Sequence, residues 1–443
     1  MKKLTKTFTG LFLLLACSLH AQNKTARLHG TLEPEAKSEL MYDGVESLLG
    51  NSKNIIIQPD KNNHFSVEVK LDKPTYYKIG RNTLYLTPGD NLEVIINQDP
   101  SQSEFKGKGT EANTYMKDRL FPKGGSFLEA GRFVFLNLDS TMACVHQKAE
   151  QRKEQLEKLN NVSKEFKELE LARIKADIIN SILKYPSYIR MKKSDYDIKK
   201  AQEAINAYIP EINQLTKEIN QARFLDVEIV RDVFKTLVKK PEMIKGITLD
   251  NRIQETYKTL EKLHVMSVNP TKENIDEIKA YIGTMKSEDL KNELNTRINK
   301  IGHLLKGAPA FDILLEDVNG KTAHLSDFKG KYIYVDLWAT WCGPCVAEAP
   351  YFEKLKKELN SDEIAFIAIS VDSSKSAWSK FLQVHKKETK QFISNDRSIK
   401  QNWLLGGIPR FILIDRDFKI IDAFAKRPSE AGAKSILMNL IKK

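Results

Sequence analysis

Apolar and polar residues alternate along the first part of the chain, as they do in β-strands that bury one face. Phe65, Val67 and Val69 fall on the same side of one such strand. Another alternating stretch is interrupted by Pro88-Gly89-Asp90, whose residue types are typical of a hairpin turn. We therefore predict an all-β, antiparallel domain over residues 22–108, built as a small sandwich or barrel.

Residues 109–305 change to a helical period. Glycine and proline become rare there, and apolar residues recur at every third or fourth position, as Phe166, Leu169 and Ile174 do. We predict an α-helical middle region of several amphipathic helices with solvated, charged outer faces. The predicted interruptions lie near Pro186, Pro210, Pro241 and Pro270.

A third pattern begins after Gly307-Ala308-Pro309-Ala310, where strand-like and helix-like segments alternate. Continuous apolar runs at 331–338 and 364–371 predict strands of a central sheet that is covered on both faces. Asn319-Gly320 predicts a hairpin turn. The other predicted elements are strands at 311–314, 411–415 and 420–425, and helices at 346–359, 376–385 and from about 429. This pattern defines an α/β domain over residues 306–443.

The N-terminus has the features of an export signal. Lys2, Lys3 and Lys6 precede the apolar segment 9–17, which is too short to span a membrane, so we exclude residues 1–21 from the fold. Two processing routes stay open. Leu14-Leu15-Ala16-Cys17 resembles a lipobox that would lipidate Cys17, whereas Ser18-Leu19-His20-Ala21 resembles an ordinary cleavage region. Either route predicts a mature protein in the periplasm or cell envelope.

Composition and charge narrow the class of protein. With 41% hydrophobic and 29% charged residues in 443, the chain has globular content for about three domains, unlike collagen, disordered chains or disulfide-rich miniproteins. The net charge is +12, and removal of the three leader lysines leaves +9. This charge is scattered without an arginine cluster, so we expect no nucleic-acid partner.

Four cysteines carry the most specific information. Cys17 belongs to the leader, and Cys144 lies in a predicted helix, where we interpret it as a buried, inert thiol. Cys342 and Cys345 form a single C-x-x-C, which in an oxidising compartment indicates redox chemistry rather than a structural framework. Zinc needs four ligands, and no second C-x-x-C or suitably spaced histidine pair is present, so we predict no metal and no cofactor.

The segment Trp341-Cys342-Gly343-Pro344-Cys345 follows a predicted strand and opens a predicted helix. Unpaired N–H groups at a helix N-terminus favour a thiolate at the first cysteine. If its pKa falls from about 8.5 to about 7, the thiolate fraction at pH 7 rises from about 3% to about 50%. The spacing puts both sulfurs on one helical turn, so they can close a reversible disulfide. Cys342 would attack and Cys345 would resolve the mixed disulfide.

Residues 306–443 resemble a thioredoxin-fold domain of the extracytoplasmic thiol–disulfide oxidoreductases related to TlpA and ResA. Besides the W-C-G-P-C motif, Asp336 lies six residues before Cys342 and Pro350 lies five after Cys345, matching the buried acid and the helix-kinking proline of that group. Ile408-Pro409 matches its cis-proline loop. Arg410 departs from the group, which often has threonine there. The N-terminal region resembles, more weakly, small β domains of exported Bacteroidetes-type proteins, which implies no defined activity.

The resemblance implies roles for several residues. Asp336, buried in an apolar strand, would have a raised pKa and shuttle a proton for Cys345 through water; a purely structural acid is the alternative. Pro409 in cis would hold the Ile408 backbone for pairing with a substrate strand, unless it forms a plain turn. The residues expected to contact substrate are Trp341, Gly343, Pro344, Ile408 and Arg410, whose charge would alter the surface that substrate meets.

The sequence thus favours an exported reductase of protein disulfides, and we expect a membrane thiol donor to re-reduce it. A peroxidase would need Pro-x-x-x-Thr-x-x-Cys, but Thr340 lies two residues before Cys342 and the proline is absent. A non-catalytic envelope protein that carries a thioredoxin module stays open as the alternative.

Overall fold

The computed structural model describes residues 24–33, 39–50, 53–120, 124–268, 270–385, 388–394, 396 and 398–442. The predicted export signal lies outside these residues. The chain divides into two compact units, the first ending at Ile253 and the second beginning at Gln254. Within the part described, no helix combines the length and the apolar character that crossing a membrane requires.

The first unit begins with two four-stranded sheets. Their strands are β1 Thr25–Leu32, β2 Glu39–Tyr42, β3 Ile55–Ile56, β4 His64–Lys70, β5 Thr75–Ile79, β6 Asn82–Leu86, β7 Asn91–Ile96 and β8 Glu104–Lys108. The orders are β4-β1-β7-β8 and β3-β2-β5-β6. All pairs among these strands are antiparallel except β1 with β7, which corrects the wholly antiparallel prediction. Strands β2 to β6 supply the long connection that a parallel pair requires.

The apolar positions that alternate in the sequence form a shared core of these sheets. Leu92, Val94 and Ile96 of β7 are buried while their neighbours in the strand are exposed. Gly30 lies in β1 with a positive φ of 144°, and a Cβ there would come within 1.8 Å of the Val94 carbonyl oxygen. Only glycine permits this close approach of the two backbones.

Helices follow from residue 110 onward. They are α1 Thr110–Lys117, α2 Leu138–Glu157, α3 Lys164–Lys192, α4 Ile198–Ala204, α5 Ile209–Ile219, α6 Glu228–Leu237, α7 Asn251–Val268, α8 Lys272–Thr284 and α9 Glu288–Gly302. Pro210 lies in the first turn of α5 and Pro270 just before α8, as predicted. The predicted break at Pro186 is wrong, because α3 continues through it. Buried Ile182, Tyr185 and Ile189 anchor that helix on both sides of the proline.

A buried ion pair and a buried hydrogen bond join the β3-β2-β5-β6 sheet to helices of the first unit. Arg231 of α6 binds Asp43, which follows β2, and both side chains are less than one-tenth exposed. Glu170 of α3 accepts a 2.6 Å hydrogen bond from the Tyr76 hydroxyl and pairs with Arg173 at 2.9 Å. Because buried charges are costly unless paired, these contacts fix how α3 and α6 pack on the sheet.

The second unit contains a seven-stranded sheet in the order β10-β9-β13-β12-β11-β14-β15. The strands are β9 Leu314–Glu316, β10 Thr322–His324, β11 Tyr332–Trp338, β12 Ile364–Ser370, β13 Lys390–Ile393, β14 Arg410–Ile414 and β15 Ile420–Ala425; the helices are α10 Gly343–Leu359, α11 Lys375–Val384, α12 Ser398–Asn402 and α13 Ala433–Ile441. Strands β11, β12 and β13 are mutually parallel, and β14 runs antiparallel to β11. The α/β prediction is confirmed.

Apolar clusters cover both faces of this sheet, as the continuous apolar runs predicted. The Asn319-Gly320 hairpin joins β9 to β10, although the first strand begins at Leu314 rather than at 311. The final helix begins at Ala433, later than predicted, because Ser429 donates hydrogen bonds to Glu348 instead of opening a helix. Strand β13 is absent from the prediction, since its four residues carry no clear alternation.

Candidate active site

The C-x-x-C segment lies where β11 gives way to α10. The N–H of Cys342 donates to the Ala339 carbonyl at 3.1 Å, which closes a turn, and the Cys342 carbonyl accepts from Val346 at 3.0 Å, which starts the helix. Pro344 occupies the first turn, where its missing N–H costs little. The N–H of Cys345 points at the Cys342 sulfur, 3.3 Å away. The local sequence therefore places both cysteines at the helix N-terminus.

Cys342 and Cys345 form a disulfide whose Cα atoms are 5.2 Å apart. The two residues are 5% and 1% exposed and belong to the apolar cluster that also holds Tyr334 and Phe411. The more accessible cysteine is thus the first one, which the sequence predicts to attack. Cys144 lies elsewhere, in α2, and is half-buried rather than buried as predicted.

The loop before β14 approaches the disulfide. The Ile408–Pro409 peptide bond is cis, as the resemblance implied. The carbonyl oxygen of Ile408 lies 3.7 Å from the Cys342 sulfur. A backbone acceptor therefore borders the first cysteine at the point where an extended segment of another protein could pair.

Asp336 lies in β11, between Ala368 of β12 and Phe411 of β14, and is 4% exposed. Side chains alternate along a strand, so Asp336 shares the sheet face of Tyr334 and Trp338, which is the face that carries the cysteines. Burial, with the carboxylates of Asp336 and Glu348, raises the pKa of Tyr334 far above its usual range. Asp336 is therefore buried, as predicted, on the sheet face that carries the cysteines.

The exposed rim of the site is formed by the motif itself. Trp341 is 71% exposed, and Gly343 and Pro344 are also exposed. Trp341 borders a shallow groove of about 450 Å³ whose opposite wall includes Phe381 and Val384 of α11. Trp338 instead is buried, with its ring centroid 5.5 Å from that of Phe381. Of Trp338 and Trp341, only Trp341 is exposed.

Arg410 points elsewhere. Its guanidinium lies 3.8 Å from the ring centroid of Phe424 and donates to the Ala423 carbonyl at 3.3 Å, both on β15. Burial lowers the pKa of Arg410 to about 10, partly opposed by the carboxylate of Asp422. Although Arg410 is adjacent in sequence to Pro409, these contacts hold its side chain on the neighbouring strand rather than beside Cys342.

Two buried acids near the motif escape the sequence analysis. Glu348, one turn beyond Cys345, accepts a 2.7 Å hydrogen bond from the Ser429 hydroxyl. Asp372 follows β12, is 3% exposed and accepts two hydrogen bonds from Thr340. The sequence feature that could have identified Asp372 is an acidic residue directly after an apolar strand. Across the part of the chain that the structure describes, no cluster of three histidine, cysteine or carboxylate residues is arranged for a metal.

Comparison with known proteins agrees with this geometry. The Redoxin family matches residues 305–440. The thiol-disulfide oxidoreductase ResA of Bacillus subtilis is 31% identical over 137 residues, which cover 31% of this chain and 76% of that protein. This chain belongs to the ResA family of thiol-disulfide oxidoreductases. The ResA protein of Bacillus cereus is likewise 31% identical, over 26% of this chain and 66% of its own length.

Solved structures include relatives of the same domain. A Bacteroides vulgatus protein assigned to the thiol-disulfide oxidoreductases is 48% identical, over 31% of this chain and 97% of its own, with a TM-score of 0.30. The thioredoxin domain of a second oxidoreductase from that organism is 26% identical over the same shares, with a TM-score of 0.28. The Redoxin match and the ResA match lie in the C-terminal third of the chain, which contains the C-x-x-C site.

Proposed function

We propose that the chain is an exported oxidoreductase that reduces disulfides of cell-envelope proteins through Cys342 and Cys345. The observation that carries this proposal is the C-x-x-C disulfide at the N-terminus of α10, bordered by the cis-proline loop. Cys342 is 5% exposed and Cys345 is 1% exposed, so the first cysteine is the more accessible residue of the pair. This asymmetry suits an attacking and a resolving thiol. The attacking sulfur must be reachable by a substrate disulfide, whereas the resolving sulfur needs to reach only the mixed disulfide that then forms.

The reaction requires the reduced form of the pair. The Cys342 thiolate attacks one sulfur of a substrate disulfide, a Cys342–substrate disulfide forms, and the other substrate sulfur leaves as a thiolate that takes up a proton. Cys345 then loses its proton and attacks the Cys342 sulfur, which releases the second substrate thiol and closes Cys342–Cys345. The substrate gains two electrons and two protons; the enzyme pair supplies both electrons, Cys345 releases one proton, and the other was released to solvent when the Cys342 thiolate formed.

Asp336 is proposed to accept the Cys345 proton through a water molecule. Its burial on the sheet face that carries the cysteines supports this role, because a proton acceptor must lie on the side of the sheet from which Cys345 releases its proton. Trp341, Gly343, Pro344 and Ile408 are proposed to contact the substrate segment, since they are exposed or border Cys342. The contacts of Arg410 on β15 do not support such a role for its guanidinium.

Export is proposed from the leader, with processing either after Ala21 or at Cys17. Outside the cytoplasm an oxidised pair needs a reductant, which we propose is a membrane protein that delivers electrons through its own thiols. Fractionation of cells that produce the full chain tests the location, and a Cys17→Ala variant tests lipidation. Recovery of the unprocessed chain in the cytoplasm would contradict export.

Single cysteine variants test the chemistry. Reduction of insulin disulfides, with dithiothreitol as the electron source, is measured for Cys342→Ser, Cys345→Ser and the matched control Cys144→Ser. Cys342→Ser is expected to lose activity, and Cys144→Ser to match the wild type. Cys345→Ser, reduced and then mixed with insulin after dithiothreitol is removed, is expected to accumulate a mixed disulfide that is visible by mass. Full activity of Cys342→Ser would overturn the proposal.

The direction of electron flow is tested by the reduction potential of the pair in glutathione or dithiothreitol buffers. We expect a value near about −270 mV, as in thioredoxin, which suits a reductase. A value near about −120 mV would characterise an oxidant and would reverse the proposed flow.

A further inference from the structure

A buried carboxylate is attached to the loop that precedes Cys342. Asp372 lies two residues beyond β12 and is 3% exposed. One of its oxygens accepts a 2.9 Å hydrogen bond from the Thr340 hydroxyl. The other accepts from the Thr340 N–H at 2.9 Å and from the Ser370 hydroxyl at 2.7 Å. The acid therefore binds both the backbone and the side chain of a single residue in the redox loop.

The sheet explains why these residues meet. Strands β11 and β12 are parallel neighbours, with Trp338 opposite Ser370, so the loops that follow them leave the same edge of the sheet. The Val371 N–H extends this pairing by donating to the Trp338 carbonyl at 2.9 Å. Asp372 then faces Thr340 across the two loops. The contact depends on sheet register and not on proximity in the sequence.

The Asp372–Thr340 contact constrains the approach to the first cysteine. Thr340 lies two residues before Cys342, inside the turn that the Cys342 N–H closes on Ala339. The hydrogen bonds from its N–H and hydroxyl to Asp372 restrict the backbone torsions of that turn. In the closed disulfide the Cys342 sulfur lies 3.3 Å from the Cys345 N–H, and a fixed turn favours the same position in the dithiol.

We propose that Asp372 is a positioning residue that lowers the reduction potential of the cysteine pair by holding the Thr340 loop. This inference rests on the proposed redox role of Cys342 and Cys345. A preorganised loop reduces the entropy that is lost when the two thiols join, so it favours the disulfide over the dithiol. The coupling is reciprocal, so closure of the disulfide stabilises the ordered loop by the same free energy with which the ordered loop stabilises the disulfide.

Removal of the contact is therefore expected to make the pair easier to reduce. Asp372→Asn retains the shape but offers one acceptor oxygen in place of two, so the amide cannot accept both Thr340 bonds. We expect its equilibrium constant against glutathione to shift about tenfold toward the dithiol, which corresponds to about 30 mV. Loss of a nearby negative charge acts in the same direction, because it favours the thiolate.

Thr340 variants separate geometry from charge. Thr340→Val keeps the carboxylate and the backbone bond but loses the hydroxyl, and we expect a shift of about threefold toward the dithiol. Thr340→Ser retains the hydroxyl and should return the potential to that of the wild type. In the double variant with Asp372→Asn, the Thr340→Val change should add little, since its partner oxygen is already altered.

The chain offers a matched control in the same domain. Asp312 accepts from the Ser326 N–H at 2.9 Å and from the Ser326 hydroxyl at 2.8 Å, the same two bonds on a carboxylate that is exposed and also pairs with His324. Ser326 lies two residues after β10, which is the edge strand of the sheet. In the sheet order β10 is four strands from β11, a separation of roughly 19 Å between the two strands. Asp312→Asn should leave the potential of the cysteine pair unchanged.

The experiment measures the potential and thermal unfolding of the full chain and of these variants. A wild-type chain with no reversible dithiol–disulfide couple would overturn the proposed function itself. A normal wild-type couple, with Thr340→Val and Asp372→Asn at the wild-type potential, would overturn the positioning role alone. An equal shift in Asp312→Asn would also overturn it, because the effect would then be a general loss of stability. If Asp372→Asn does not fold, Thr340→Val and its Thr340→Ser rescue decide the question.

Discussion

Phe352 supports the helix that carries the redox pair, and its truncation gives a sharp test of the packing. It lies on α10, is 2% exposed, and its ring centroid is 5.2 Å from that of Phe366, 5.5 Å from that of Tyr334 and 6.0 Å from that of Phe411. Phe352→Ala removes one member of this aromatic cluster. The remaining rings belong to three adjacent strands and cannot close over the gap without moving the sheet.

The expected cost follows from the buried surface. A phenylalanine buries about 150–200 Å², which at about 25 cal/mol per Å² corresponds to about 4–5 kcal/mol. Measured truncations of this kind cost about 3–5 kcal/mol. We therefore expect the free energy of unfolding to fall by about 4 kcal/mol. With a urea dependence of about 2 kcal/mol per molar, the midpoint shifts by about 2 M.

The distribution of tryptophan makes the assay specific to this domain. All 4 tryptophans of the chain lie between residues 338 and 403, and Trp338, Trp378 and Trp403 are buried. Tryptophan fluorescence during urea unfolding thus reports on the redox domain without signal from the remainder. Both proteins are kept oxidised throughout, so that the disulfide contributes equally.

The neighbouring residue supplies the control. Tyr351 is 51% exposed on the same helix, and Tyr351→Ala changes helix propensity about as much as Phe352→Ala does. We expect Tyr351→Ala to cost less than about 1 kcal/mol. Equal losses in the two variants, or a loss below about 1 kcal/mol for Phe352→Ala, would refute the packing argument.

Three further predictions concern other parts of the chain. Asp43→Ala leaves Arg231 buried without its carboxylate, so circular dichroism should record a loss of about 3–5 kcal/mol in the first unit; Asp43→Asn, which keeps an acceptor, should lose less. Burial raises the pKa of Asp177 to about 7, so its ionisation destabilises the fold progressively from about pH 4 to pH 7. The free energy of unfolding of Asp177→Asn should consequently rise relative to that of the wild type as the pH increases from 5 to 8. A difference between the two proteins that does not change with pH would contradict this. Trp341→Ala should slow reduction of a protein disulfide but not of a small disulfide, with unchanged thermal unfolding, because Trp341 is 71% exposed.

The redox site was predictable because its determinants are local. Cys342 lies four residues after β11 and, with Gly343, Pro344 and Cys345, carries the residue preferences of a helix start, and helix N-termini have the same geometry in any fold. The burial of Asp336 was predictable as well, since it lies within a continuous apolar run.

Long-range packing decided other features. The sequence predicts a break at Pro186, yet α3 continues because burial on both sides outweighs the local cost of proline. Arg410 follows the cis-proline, yet its side chain packs on Phe424, because strand alternation and not sequence adjacency determines its direction.

By itself the sequence determined the three structural classes along the chain and the chemistry of the C-x-x-C pair, because periodicity and helix-start preferences depend on neighbours within a few residues. Only the tertiary structure brought Asp372 to Thr340 and Ile408 to Cys342, contacts that span 32 and 66 residues. Such contacts depend on which strands become neighbours and in which register. That pairing is a property of the whole sheet, and no local pattern encodes it.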